Sequence, residues 1–94
     1  MEEFPQNVAG REIHRFRNLR DLTQEALATA LQVQGWDISR GTLAKIESGI
    51  RCVTDMEVVV MAKVLGCTPN DLLSRDFKEC LQLIQSSKDS KKKF

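Results

Sequence analysis

Thr23-Gln24-Glu25-Ala26-Leu27-Ala28-Thr29-Ala30-Leu31-Gln32, followed by Ser39-Arg40-Gly41-Thr42-Leu43-Ala44-Lys45-Ile46-Glu47-Ser48-Gly49, are two short helical segments in close succession. Each opens on a hydroxyl residue that can accept from the free amides of the first turn. Glu25 adds an anion where the helix dipole favours one. In the first segment Ala26, Leu27, Ala30 and Leu31 predict one buried stripe; in the second, Leu43 and Ile46 point inward at i, i+3. Gly49 stands just past the second segment, where a helix is commonly closed by a left-handed residue. Between the two lies Val33-Gln34-Gly35-Trp36-Asp37-Ile38, read as a connecting loop because Gly35 interrupts the periodicity. Trp36 is expected to plug the gap between the two helices.

Working outward, residues 1–7 read as a loose polar arm in which Pro5 blocks an early helix. A helix is predicted from Val8 to Arg20, with Asn7 as its cap and Ile13, Phe16, Leu19 and Arg20 on one face. On the other side, Thr54-Asp55-Met56-Glu57 is a capping box that starts a fourth helix, ended by Gly66. Val58-Val59-Val60 favours strand by propensity, but the capping box and the helical spacing outweigh it. Thr68-Pro69-Asn70-Asp71 starts a short fifth helix, with proline at its first position. Phe77, Cys80, Leu81 and Ile84 fall at i, i+3, i+4, i+7 and predict a sixth, amphipathic helix. Residues 87–94 form a lysine-rich tail expected to be flexible. The fold class is therefore all-α: a compact five-helix domain over residues 9–73, a C-terminal amphipathic helix over 74–86, and flexible ends.

Length and composition bound the function. At 94 residues, 41% of them hydrophobic, the chain supports one real core and not two domains. Its longest apolar run, Val58 to Ala62, is far short of a membrane span, and the acidic N-terminus lacks the layout of a signal peptide; a cytoplasmic location is expected. Cys52, Cys67 and Cys80 include no C-x-x-C, so neither a disulfide framework nor a zinc site is expected, and the three read as small buried hydrophobes. There is no phosphate loop, catalytic-triad spacing or metal-ligand cluster, so the chain does not read as an enzyme and no cofactor or metal is expected. His14 has no partner at motif spacing and reads as a surface or packing residue. Net charge is only +1, but residues 11–51 hold seven basic against five acidic side chains.

The ordered segments Phe16-Arg17, Leu22 to Ala28, Ile38 to Gly49 and Ala62 to Leu73 together resemble the phage repressor and Cro family of helix-turn-helix regulators over about residues 9–73. The resemblance implies a transcriptional regulator, most simply a repressor, that binds double-stranded DNA with its third helix in the major groove. It places Ser39, Arg40, Gly41, Thr42 and Lys45 at the DNA. Arg40 is suited to guanine O6 and N7, Thr42 to a thymine methyl or a phosphate, and Lys45 to guanine or the backbone. Gln24 is implied as a phosphate contact, and Arg51, just past the third helix, is a second candidate by its position. Arg17 and Glu47 are implied as an internal salt bridge between the first and third helices. Two features depart from the family pattern. Gln32 stands where a glycine is usual, with a longer connection after it, and Gly41 brings no side chain to the reading face.

The fourth helix is apolar on more than one face: Met56, Val59, Ala62 and Leu65, and also Val58, Val60 and Met61. One face belongs to the core and the other needs cover, from the C-terminal helix or from a second subunit. A homodimer through these segments is expected. The alternative function is a protein-binding module, such as an antitoxin or a partner that sequesters another regulator.

Overall fold

The computed structural model describes residues 7–91, with side chains up to Ser86. It contains α1 (Ala9–Leu19), α2 (Gln24–Val33), α3 (Arg40–Glu47), α4 (Asp55–Leu65), α5 (Pro69–Leu72) and α6 (Phe77–Lys91), with no strand among the described residues. The helix starts follow the hydroxyl residues. Thr23, Ser39, Thr54 and Thr68 each accept from the amide three residues on, and Glu57 and Asp71 complete capping boxes by binding back. At the other end of α3, Gly49 adopts φ 84°, and the amides of Gly49 and Ile50 return to the carbonyls of Ile46 and Lys45. A side chain at that φ is strained, which is why glycine ends this helix.

The core forms where the first five helices converge. Ile13 of α1, Leu27 and Leu31 of α2, Leu43 and Ile46 of α3, Met61 and Leu65 of α4, and Leu72 of α5 are all excluded from solvent. α1 packs on α3, α4 and α5, and α2 on α3 and α4. The two helices read first from the sequence are thereby held at a fixed angle by their neighbours, with the outer face of α3 left open.

Several sequence expectations are corrected. The buried row of α1 is Ala9, Gly10, Ile13 and Arg17, and Leu19 is exposed. Leu19 lies too far round the helix to share the i, i+4 row with Ile13. Arg20 is not a core residue: its guanidinium donates to the carbonyls of Leu65 (2.7 Å) and Gly66 (3.1 Å), satisfying groups that the end of α4 leaves without helical partners. In α2 the stripe is Leu27, Ala28 and Leu31, while Ala26 faces solvent. In α4 the core row is Val58, Met61, Ala62 and Leu65, so Met56 and Val59 face outward, Met56 with 71% of its surface exposed. The β-branched run is helical, as the capping box requires. None of the three cysteines is fully buried. Cys52 lies in the α3–α4 connection, and Cys67 borders the core, where burial pushes its thiol pKa up.

The ends differ too. Asn7 is tied down: its Oδ1 accepts from Gly10 N at 2.6 Å, and its Nδ2 donates to the carbonyls of Ile46 (3.1 Å) and Arg51 (2.8 Å). It therefore belongs to the α1–α3 joint and not to an arm. The remainder of the expected arm, residues 1–6, lies outside the described residues. α6 runs on to Lys91, past the boundary expected at residue 86, and the last three residues of the lysine-rich tail are also outside. α6 does not cover the outer face of α4. Its own apolar stripe is open, with Phe77 75% exposed and Leu81 and Ile84 exposed beside it. The longer α2–α3 connection is well braced: Gln32 Nε2 donates to Ile38 O at 2.7 Å, Ile38 is buried, and Trp36 packs against the core. No helix among the described residues is long and apolar enough to cross a membrane.

Candidate nucleic-acid interface

α3 turns Leu43 and Ile46 to the core and presents Arg40, Gly41 and Lys45 outward. Ser39 caps the helix, accepting from Thr42 N at 3.1 Å and donating to Thr42 Oγ1 at 3.1 Å, so both hydroxyls are partly committed to the helix start. Arg40, Gly41 and Lys45 are exposed, and Thr42 is half-buried. A Cβ built at Gly41 would meet only Ser39 Oγ, at 3.9 Å. Steric exclusion therefore does not require glycine there. The arrangement leaves Arg40 and Lys45 as two exposed cations flanking a bare stretch of helix, suited to ionic and hydrogen-bonding contact with an anionic surface.

Behind this face sits a polar node. Glu47, at the end of α3, has a side chain only 4% exposed and faces Arg17 of α1, 9% exposed. Arg17 Nε donates to Glu47 Oε2 at 2.8 Å and Nη2 to Oε1 at 3.1 Å, a two-pronged pair of the strong kind. Arg17 Nη1 donates to Leu22 O at 2.7 Å, which fixes the turn into α2. Glu47 Oε1 also receives His14 Nδ1 at 3.0 Å and Gln24 Nε2 at 3.2 Å. One carboxylate thus binds α1, the start of α2 and the end of α3 together. Gln24 is held by the node through one amide hydrogen, which leaves the other, and its carbonyl oxygen, for a ligand.

Burial pushes the Glu47 carboxyl pKa up, but the hydrogen bonds from Arg17, His14 and Gln24 and the charge of Arg17 outweigh it, and the net shift is downward. Glu57 is also held down, first by its hydrogen bonds from Arg51. A carboxylate with a lowered folded-state pKa contributes stability above its unfolded value, and that contribution is lost as pH falls through the folded one. Stability is therefore expected to be level near neutrality and to decline once pH drops below the usual carboxylate value of 4.5. Urea midpoints followed from about pH 7 to pH 3 check this; a midpoint unchanged across that range would contradict it.

Arg51 lies apart from the α3 face. Its Nη1 and Nη2 reach Glu57 Oε1 at 3.1 Å and Oε2 at 3.2 Å, and Nη1 also donates to Cys52 O at 3.0 Å. The structure thus joins Ser39, Arg40, Gly41, Thr42 and Lys45 on one helix and ties Gln24 to that helix through Glu47, whereas Arg51 is engaged with the α4 capping box. Sequence reasoning read Asn7 as a cap of α1, and its Oδ1 does accept from Gly10 N, but it missed the Asn7 bonds to Ile46 and Arg51 and the place of His14 in the node. The signal for His14 was present, since it precedes Arg17 by three residues and so shares its helix face.

The comparisons with known proteins come to the same architecture. A family model described as Helix-turn-helix matches residues 13–72. No curated protein sequence matches. The crystal structure of a hypothetical transcription factor, NHTF, from Neisseria is similar, with a TM-score of 0.63, 23% identity, and coverage of 88% of this chain and 94% of that one. At that identity the likeness concerns the fold.

Proposed function

The chain belongs to the helix-turn-helix family, of the Cro and repressor type, and from that premise we propose that it is a sequence-specific DNA-binding transcriptional regulator, acting as a repressor. The observation that carries the reading is the exposed outer face of α3, with Arg40 and Lys45 outward and its inner side locked by Leu43, Ile46 and Glu47. A helix presented this way suits the major groove, with its N-terminal residues Arg40, Gly41 and Thr42 toward base edges. Arg40 then reads guanine, Lys45 reads guanine or a phosphate, and Thr42 touches a methyl or the backbone. Gln24 anchors a phosphate, and Arg51 does so only by sharing its guanidinium with Glu57.

A contact set this small calls for two copies. The open apolar surfaces of α4 (Met56, Val59) and α6 (Phe77, Leu81, Ile84) supply a candidate homodimer interface. The same exposed stripe is what favours the second reading, capture of a partner protein. Selection from a randomised duplex library at low salt separates the two. The wild type is expected to enrich a palindromic site, and Arg40→Ala/Lys45→Ala to lose it. Binding should weaken steeply with salt, as counterion release demands. Failure to enrich any sequence, or a monomer mass at all concentrations, would count against the regulator as described.

A further inference from the structure

Three helices leave an open notch of about 320 Å³ beside the Glu47 node, lined by Arg11, His14, Gln24, Ala44, Glu47 and Ser48. Gly41, Ala44, Lys45 and Ser48 recur at helical spacing, so the α3 wall of this notch continues the face that carries Gly41 and Lys45. A duplex lying along that face runs past the mouth of the notch. We propose that the notch seats a DNA phosphodiester and that His14 is a donor to it, one that makes DNA affinity rise as pH falls. This rests on the DNA-binding reading above.

With the His14 ring neutral, the ion pairs around the notch already leave one positive charge in excess, and a proton on His14 adds a second. Glu47 is matched by Arg17 at 2.8 Å, and Arg11 is drawn to Glu79 of α6 at 3.6 Å, which Arg75 also approaches at 3.2 Å. His14, with its side chain 54% exposed, faces Glu47 at 3.0 Å and Arg17 Nη2 at 3.3 Å, while Asn18 Nδ2 lies 3.1 Å from its Nε2. In the neutral ring, Nδ1–H donates to Glu47 and Nε2 accepts from Asn18. Both nitrogens are then used and none is left for a phosphate. Protonation places a hydrogen on Nε2, for which the amide nitrogen of Asn18 is no acceptor. A phosphodiester oxygen is one, and the bond is charge-assisted. Lower pH favours the protonated ring, while DNA phosphates stay ionised. Glu47 holds the ring by Nδ1 in both states, which makes it a positioning residue for His14 as well as for Gln24. By linkage, a ligand that favours the protonated ring binds more tightly at lower pH.

The test uses the full chain and a mixed-sequence duplex, with affinity measured at fixed ionic strength at about pH 5.5 and pH 8. The wild type is expected to bind roughly fivefold tighter at the lower pH, with its salt slope steeper there by about 0.9, the increment for one more phosphate contact. His14→Gln should have the same affinity and slope at both pH values, and His14→Arg should bind tightly with a flat profile. Thermal melts confirm that the variants fold. A wild-type complex with no pH response, or a response retained by His14→Gln, overturns the role of His14 alone. Absence of any wild-type complex at either pH overturns the DNA reading and this inference together.

Discussion

Glu47→Ala is expected to destabilise the protein by about 3–5 kcal/mol, because it strands the buried guanidinium of Arg17 without its carboxylate. For a domain of this size that is a fall in melting temperature of roughly 12–40 °C. The loss exceeds that of an ordinary surface pair because the two side chains are almost wholly excluded from water, so neither is rescued by solvent. Removing the carboxylate also releases Gln24 and His14, so the start of α2 and the middle of α1 lose a shared acceptor. Thermal and urea denaturation measure the effect. Glu47→Gln keeps the shape and part of the hydrogen bonding, and should cost less than alanine. Replacing both partners with apolar residues of similar volume should recover much of the stability, since no buried charge is then left alone. A Glu47→Ala protein that melts within a few degrees of the wild type would show that water reaches Arg17 and that the node is not structural.

Gly10→Ala is expected to cost about 3 kcal/mol, at the upper end of what overpacking commonly does. A Cβ at this position would collide with the backbone carbonyl oxygen of Ile46, crowd Asn7 Oδ1 at 2.9 Å, and sit 3.2 Å from the carbonyl of Glu47. Backbone cannot swing aside as a flexible side chain can, so α1 must move away from the end of α3. The sign is instructive, because alanine is the better helix former and gains up to about 1 kcal/mol over glycine in an unobstructed helix. Contact and propensity thus predict opposite outcomes for one methyl group. Thermal melts of the variant decide between them, and a rise in melting temperature would mean that the α1–α3 joint has slack. The Asn7 bonds to Ile46 O and Arg51 O are expected to weaken together with the joint.

Much of this was legible in the sequence, for identifiable reasons. Thr23, Ser39, Thr54 and Thr68 announce helix starts because capping is a local interaction between neighbours in the chain. The α3 core pair, Leu43 and Ile46, was readable because a short helix with few apolar residues has one way to face inward. α4 was less so. Met56, Val58, Val59, Val60 and Met61 surround the helix, and periodicity cannot choose among faces that are all apolar. The choice falls to Val58 and Met61 because of how α1, α2 and α5 meet α4, which is a fact of tertiary packing. Arg20 was misplaced, and the long-range bonds of Asn7 went unread, for the same reason: each satisfies carbonyls far along the chain, and no local pattern records that. The candidate interface divides similarly. Arg40 and Lys45 are exposed as a helix start and its next turn dictate, whereas the convergence of Arg17, His14 and Gln24 on one oxygen of Glu47 needs three helices in place.

Gly41 has a consequence for how such a protein changes over generations. Most positions on a folded chain couple what they recognise to whether the chain folds, so a new preference is gained only by risking the scaffold. At Gly41 a side chain would project into open space, with Ser39 Oγ at 3.9 Å its only near neighbour and the core on the far side of the helix. Substitution there leaves the architecture indifferent and alters only what the outer face meets, so selection can revise that residue freely while Glu47, Arg17 and Gly10 keep the scaffold constant.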